Sequence, residues 1–227
     1  MKLSICIPTF NRRDKLPNCL NSIYIASKKT NIDFEVCISD NGSDYNVDDI
    51  VNKFNDKFKI KVNKNKSNIG YMSNLIKVIS LSESEFVWAI GDDDLLMPHS
   101  LVRLEELFSK NTDVDFFFIN SFHLDYKHVD SFDSPFDTKN LPKNMEVTLG
   151  KNKISQKLNF WDLIDHNIDF GFLVGNFLDV FKRKMWEDNL DCLDKDLVSD
   201  TKQWSNFDNT CGHTKVYANA FKNSKAY

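Results

Sequence analysis

Three consecutive aspartates, Asp92, Asp93 and Asp94, follow directly on an apolar run in the stretch FVWAIGDDDLLMP, Phe86 to Pro98. Side by side and without a partner, their charges repel one another. On an extended or turning backbone, alternate side chains face opposite ways. That places Asp92 and Asp94 on one side and Asp93 on the other. Two carboxylates on one side suit Mg²⁺ or Mn²⁺, which favour carboxylate, water and phosphate oxygens. The chemistry implied is a divalent cation with a diphosphate on its far side. The alternative is structural: an acidic helix N-terminus, with Asp94 capping the helix near Pro98.

Such a loop needs elements to hold it. LSICIPT (Leu3 to Thr9) reads as a short buried strand, and DFEVCISD (Asp33 to Asp40) as a second. KFKIKVNK alternates and is a third; EFVWAIG does not alternate and is a fourth, buried on both faces. Between them, RRDKLPNCLNSIYIAS and GYMSNLIKVISLS carry apolar residues at helical spacing, and VDDIVNKF is a short helix. PHSLVRLEELFSK is a helix with Pro98 in its first turn, and DVDFFFINSFHL is a fifth strand. Strands alternating with helices predict a parallel, doubly wound α/β sheet through about residue 125.

In such a sheet, ligands gather outside the carboxyl ends of the strands. The first strand is followed by Pro8, Thr9, Phe10, Asn11 and Arg12, and the second by Asp40, Asn41, Gly42, Ser43 and Asp44. Asn68, Ile69 and Gly70 follow the third, and the aspartate triplet follows the fourth. Two strongly acidic loops at one edge, in a chain of net charge −4, point to a cation site.

Beyond residue 125 the pattern changes. Asp130 to Gly150 reads as a long excursion, ISQKLNFWDLIDHN as a helix, and FGFLVGNFLDVF as an apolar run broken by glycines. Trp161, Phe170, Phe172, Phe177 and Trp186 are expected mainly in the core. His123, His128, His166 and His213 lack metal-ligand spacing, and His99 reads as a polar residue at a helix start. The C-terminus shows no capping element, as in a truncated chain.

Composition sets the bounds. With 227 residues, 41% hydrophobic, the chain can bury a substantial core as one domain. A net charge of −4 excludes a general nucleic-acid binder. KFKIKVNKNK and FKRKMW are locally basic; they read as a solvated strand edge and helix end, with peripheral contact to anionic lipid at the inner membrane as the alternative. Five cysteines, with no C-x-x-C pair, argue against a disulfide framework and for a reducing, cytoplasmic setting. No run approaches the roughly 20 apolar residues that span a bilayer.

SICIPTFNR, ISDNGSD, NIGYMSN and AIGDDDLLMP occur in the order and spacing seen in glycosyltransferase family 2. The resemblance covers roughly the first 110 residues, and the GDDD form resembles the abequosyltransferase-like subset that builds bacterial surface polysaccharides. It implies the GT-A fold, a mostly parallel twisted sheet flanked by helices. It also implies a nucleotide-sugar-binding half over 1–110 and an acceptor-binding half over 111–227. By resemblance, Pro8, Thr9 and Asn11 line the nucleotide pocket, Asp40 accepts from the base, and Asn68 and Gly70 form the loop near the nucleotide. Asp92 and Asp93 face the nucleotide-sugar and Asp94 binds Mn²⁺ or Mg²⁺. The triplet leaves that register open by one residue. The implied partners are a UDP- or dTDP-type sugar donor and a saccharide or lipid-linked acceptor.

The family's catalytic base is normally an acidic residue in the second half, often in an E-D pair. Glu187-Asp188 reads instead as a solvated helix face. Asp200, which precedes Trp204, is the chosen base, with Asp196 and Asp188 next. Two other functions remain open: a nucleotidyltransferase, although PTFNRRDK lacks a phosphate-binding glycine, and a non-catalytic GT-A module of a larger synthase.

Overall fold

Leu3–Thr9 forms strand β1 and is buried over nearly its whole length. The reason is its place: β2 (Phe34–Asp40) lies parallel on one side of it and β4 (Phe86–Ala89) parallel on the other. The computed structural model describes residues 1–148, 155–164, 175–202 and 204–227. Strand β3 (Lys59–Lys64) pairs with β2 at the edge, and its half-exposed position accounts for its alternating sequence. With β5 (Phe116–Phe118), β6 (Leu158–Asn159), β7 (Asp179–Lys182) and β8 (Lys225–Ala226), the sheet order is β3-β2-β1-β4-β7-β5-β8-β6.

Helices cover both faces. Helix α1 (Leu16–Ser27) buries Leu16, Cys19, Leu20, Ile23 and Ala26, spaced three and four residues apart along one stripe. With the short α2 (Asp48–Val51) and with α4 (Ser100–Lys110) it covers one face of the sheet. Helix α3 (Tyr71–Ser80) and the C-terminal helix Phe207–Phe221 cover the other, over Phe116, Phe160, Phe181 and Trp186.

The expected fifth strand is shorter and differently placed. Only Phe116–Phe118 form β5, and β7 (Asp179–Lys182) inserts between β4 and β5, antiparallel to both. Burial on both faces drives this insertion: Val180 joins one core and Phe181 the other. The helix expected over ISQKLNFWDLIDHN is also replaced, as far as the described residues go. Leu158–Asn159 is strand β6, pairing with β8 (Lys225–Ala226), and Phe160–Leu163 is a 3₁₀ turn. The Asn159 and Asp162 side chains close a capping box there, which favours a turn start over a continuous helix. Trp161, expected in the core, is 45% exposed, whereas Trp186 is buried. Phe170, Phe172 and His166 lie outside the described residues.

The excursion after residue 130 is tied down. Phe136 is buried, its N–H donates to Asn18 Oδ1 at 2.8 Å, and Asn21 Nδ2 donates to its carbonyl at 2.8 Å. Further on, Phe122 and Val147 form an antiparallel bridge, flanked by His123 N–H to Glu146 O and Thr148 N–H to Ser121 O, both 2.8 Å. Among the described residues, no helix is long and apolar enough to cross a membrane.

The basic clusters are, among the described residues, ion-paired surfaces except at Lys66. Lys182, Arg183 and Lys184 meet Asp115, Glu187 and Asp188. Lys57 meets Asp56, Lys59 and Lys61 share Glu35 and Glu83, and Lys64 meets Asp48.

Candidate active site

The parallel register of β1, β2, β3 and β4 brings their carboxyl ends to one edge, so four loops meet there. Thr9, the last residue of β1, donates its hydroxyl to Asp92 Oδ2 at 2.6 Å, and Arg12 Nε lies 3.9 Å from Asp92 Oδ1. Asp92 is buried, and burial pushes its carboxyl up to about 6, with Asp93 adding to the rise against the Thr9 bond and the Arg12 charge. Asp94 turns back instead: its Oδ2 accepts the Gly91 N–H at 2.7 Å. Burial pushes Asp94 up to about 7, opposed by that bond and reinforced by Asp93 and Asp92.

Gly91 packs closely against the carboxylates that follow it. A Cβ there would lie 2.9 Å from Asp93 Oδ1 and 3.0 Å from Asp94 Oδ2. Helix α4 takes no side-chain cap, and His99 stands exposed at its start. Asp94 therefore caps its own loop rather than the helix.

Pro8, Thr9, Asn68, Gly70, Asp92, Asp93 and Asp200 line one cleft of about 340 Å³. Asn11, Asp40 and Asp94 do not line it. Asn11, at φ 54°, accepts the Asp44 N–H on Oδ1 and donates its own N–H to Ser43 Oγ, both at 2.9 Å, locking the β1 loop to the β2 turn. Asp40 is buried and its Oδ1 accepts from Ser43 N–H at 3.1 Å and from the Ser43 hydroxyl. Asp94 lines an adjoining cavity of about 330 Å³ that shares Ile90 and Asp93 with the cleft.

The floor is built of asparagines. Asn68 Oδ1 accepts Gly70 N–H at 2.8 Å and Asn41 Nδ2 at 2.9 Å; Asn41 Oδ1 accepts Ile69 N–H at 2.9 Å; Asn74 Nδ2 donates to Ser39 O at 2.9 Å. Asn41 and Asn74 sit inside motifs legible in the sequence, next to residues singled out there. Asn176 carries no such signal. It reaches the cleft from the second half of the chain and donates to the Tyr71 hydroxyl at 2.8 Å. Burial pushes that hydroxyl up to about 12, although Tyr71 as a whole is 40% exposed, so the crowding is local to the hydroxyl.

Asp200 also arrives from the second half. It ends the short helix Lys195–Ser199, and its carboxylate accepts Lys202 N–H at 2.9 Å and the Ser205 hydroxyl. The Ser205 bond and then the Lys202 bond hold it below the usual carboxylate range. Asn209 Nδ2 grips the Asp200 carbonyl at 3.1 Å, and a Cβ at Gly70 would lie 3.2 Å from that oxygen, so the loop rests on the start of α3. Trp204 stands out of this loop, 73% exposed at φ 64°. Asp188 pairs with Lys184, and neither Asp188 nor Asp196 lines the cleft.

Among the described residues, no group of three or more His, Cys, Asp or Glu side chains is placed to hold a metal ion by itself. The donor set still fits a hard cation that completes its shell from phosphate, because one or two carboxylates suffice for Mg²⁺ in such sites. Burial is the main reason the Asp92 and Asp94 carboxyls are raised, with Asp93 adding to it in both.

A model of the family described as Glycosyl transferase family 2 matches residues 4–167. The chain is 35% identical over 116 residues to abequosyltransferase RfbV of Salmonella typhimurium (strain LT2), covering 50% of this chain and 34% of that protein. It is 26% identical over 116 residues to an uncharacterized glycosyltransferase of Haemophilus influenzae, covering 51% of this chain and 37% of that one. The matched part thus spans about a third of the length of these curated relatives. Among solved structures, S. aureus TarS superposes with a TM-score of 0.66 at 18% identity, over 100% of this chain and 35% of TarS. TarS 1-349 in complex with UDP gives 0.64 at 17% identity, over 100% of this chain and 60% of that one. At that identity the likeness is one of fold, and the fold is GT-A. With that family's model matched over residues 4–167, well over half of its length, the chain belongs to glycosyl transferase family 2.

Proposed function

We propose that the chain is the catalytic domain of a metal-dependent, inverting glycosyltransferase of bacterial surface glycan synthesis. It moves a sugar from a nucleoside-diphosphate sugar to a hydroxyl of a saccharide or lipid-linked acceptor. The observation that carries this reading is the single cleft where Thr9, Arg12, Asp92 and Asp93 meet the Asn68–Gly70 loop and Asp200.

In this reading residues 1–110 hold the donor and 111–227 the acceptor. Pro8, Thr9 and the Asn68–Gly70 loop bound the nucleotide. Asn11 and Asp40 shape the turn beside it, and Asp40 offers an acceptor to the imide N–H of a UDP- or dTDP-type base. Arg12 supplies the cleft's cation toward the diphosphate. Asp93, exposed in the cleft, and Asp92 beside it would hold Mn²⁺ or Mg²⁺, while Asp94, the ligand that the resemblance implies, would first have to leave Gly91 N–H. Bound there, the ion would offset charge on the leaving diphosphate as a Lewis acid. Asp200, a carboxylate lining the cleft, takes the proton of the attacking hydroxyl. The TarS relative solved with UDP and another with UDP-GlcNAc support a nucleotide-sugar donor of this type. Five free cysteines support a reducing, cytoplasmic site of action.

The test is a thermal-shift panel of UDP, dTDP and ADP, each with and without Mn²⁺. Binding stabilises the native state by linkage, by about 2.7 kcal/mol at a hundredfold excess over Kd, and so raises the melting temperature. The expected result is a rise with UDP or dTDP plus Mn²⁺ that exceeds the rise with ADP plus Mn²⁺. A panel in which no nucleotide–metal pair moves the transition rejects the donor site.

A further inference from the structure

The carboxylate of Asp200 is held at both oxygens. Lys202 N–H donates to Oδ1 at 2.9 Å, and the Ser205 hydroxyl donates to Oδ2. A carboxylate offers about four lone-pair positions. The remainder stay open, on a side chain that lines the cleft.

Ser205 is itself aimed. A serine hydroxyl has a single proton to donate and two lone pairs to accept with. Ser205 Oγ receives Asn209 Nδ2 at 2.8 Å and Asn206 Nδ2 at 3.2 Å. With amides on both lone pairs, the proton is left for Asp200.

Asn209 is buried, although Ser205 is exposed. The same Nδ2 reaches the Asp200 carbonyl at 3.1 Å and the Lys202 carbonyl at 2.8 Å, and Oδ1 accepts the Thr210 hydroxyl at 2.7 Å. One amide thus ties the backbone of the loop and the Ser205 hydroxyl to a common point. That point lies in the first turn of the C-terminal helix, where Asn206 Oδ1 accepts the Asn209 N–H at 2.9 Å. Helical geometry breaks at Cys211, with φ −120° and ψ 20°. The break separates the turn that grips the loop from the stretch whose Val216, Tyr217 and Phe221 pack in the core. Beyond Asp200 the large side chains, Trp204 and Phe207, stand exposed. Polar contacts, rather than apolar burial, secure Asp200 on that side.

We infer that Asn209 and Ser205 are positioning residues for Asp200: Asn209 aims the Ser205 hydroxyl, and Ser205 fixes the carboxylate so that its open lone pairs meet the acceptor hydroxyl. The inference rests on Asp200 being the base of the glycosyltransferase reading. In the transfer, the acceptor oxygen bonds to the anomeric carbon, its proton passes to Asp200, and the bond from that carbon to the diphosphate oxygen breaks. The nucleoside diphosphate leaves with the electron pair. A misplacement of about 1 Å can cost on the order of 10²-fold in rate, and a carboxylate free to turn loses that alignment.

Carboxyl ¹³C titration of the full chain reads the contact directly, with Asp200→Asn marking the Asp200 resonance. Hydrogen bonds to a carboxylate favour its charged form, and the Ser205 bond is the largest influence holding Asp200 down. Ser205→Ala should therefore move its midpoint up, and Ser205→Thr should not. Asn209→Ala should move it the same way, although its amide bonds the Asp200 carbonyl and not the carboxylate. Lys202, the neighbouring cation, and the ionisable groups of the cleft, Arg12, Asp92, Asp93 and Tyr71, are the same in all variants. Asp208, in the gripping turn, is already paired with Lys215.

Kinetics supply the second readout. UDP release is followed with UDP-glucose, UDP-galactose or UDP-N-acetylglucosamine as donor and methyl α-mannopyranoside or methyl α-galactopyranoside as acceptor. For the pair that turns over fastest, Ser205→Ala should lower kcat on the order of tenfold or more, with donor KM and melting temperature unchanged. Ser205→Thr should restore it. An Asp200 midpoint unmoved in both alanine variants overturns the inference. So does full kcat in Ser205→Ala where Asp200→Asn has lost transfer, a pattern that leaves the base standing. Full transfer by Asp200→Asn sinks the base, and the positioning inference with it.

Discussion

Asp93 is the exposed member of the aspartate triplet, while Asp92 is buried under Thr9 and Asp94 is folded back on Gly91. These environments separate their roles. Asp93→Ala should abolish Mn²⁺-dependent binding of UDP in calorimetry. Asp94→Ala should weaken it as well, by loosening the loop and removing charge; equal affinity in both variants and the native protein would remove the triplet from the metal site. The raised carboxyls also make stability depend on pH. Each is favoured neutral in the folded chain, so its contribution is fully present below the ordinary carboxylate range near 4 and is lost as pH rises. The loss runs through about 6 for Asp92 and about 7 for Asp94. Without nucleotide or metal, these groups make the chain less stable at pH 7.5 than at 5.5, by on the order of a few kcal/mol. Asp94→Asn keeps an oxygen for the Gly91 N–H and loses the charge, so urea denaturation should show a flatter profile across that range. At Asp200 the expected change is catalytic. Asp200→Asn should keep the UDP–Mn²⁺ melting shift and lower transfer by on the order of 10²–10⁴-fold, read as release of nucleoside diphosphate in an acceptor-dependent assay.

At the scale of elements, the cleft depends on turns that close over one another. Gly42 lies at φ 79°, and a Cβ there would sit 2.7 Å from the Ser67 carbonyl carbon and 2.8 Å from its Cα. Those are backbone atoms, so the strain has no flexible side chain to absorb it. Gly42→Ala should destabilise by more than about 1 kcal/mol in urea denaturation, because both the φ and the space are wrong for alanine. It should also weaken UDP binding, since the displaced segment leads into Asn68, whose side chain holds Gly70 and Asn41. Equal stability and affinity would mean that the two turns move independently. The loop that carries Asp200 rests on Gly70 from the other side, so α3 begins between two supports contributed by distant parts of the chain.

For the whole molecule, the ion pairing of both basic clusters has a consequence at a lipid surface. Each cation of FKRKMW has a carboxylate beside it, and the β3 cluster shares Glu35, Glu83, Asp48 and Asp56. Attraction to anionic lipid is worth roughly 1 kcal/mol per free basic residue near the surface. Matched clusters forfeit most of that, so the chain should stay in the supernatant when sedimented with phosphatidylserine-rich vesicles at physiological salt. Sedimentation that disappears at high salt would show that the pairs open at a membrane.

The first four strands, helices α1, α3 and α4, and the edge where the carboxyl ends of the strands meet were legible in the sequence. The reason is that each is a short buried run or a periodic segment joined to the next by a short connection, so local pattern carries the information. The acidic loop and the Asn68–Gly70 loop were legible for the same reason, lying at the ends of those strands. The insertion of β7 between β4 and β5 was not, because a strand of four residues is chosen by the two cores it closes rather than by its own pattern. Nor was the arrival of Asn176 beside Tyr71, a contact across 105 residues of sequence. The direction of each aspartate was decided in the fold as well. Alternation predicted Asp92 and Asp94 together, but a single backbone donor, Gly91 N–H, captures Asp94 and sends it to the far side of the loop. Side-chain direction at a turn follows the nearest unpaired hydrogen-bonding group, and that group is known only once the chain has folded.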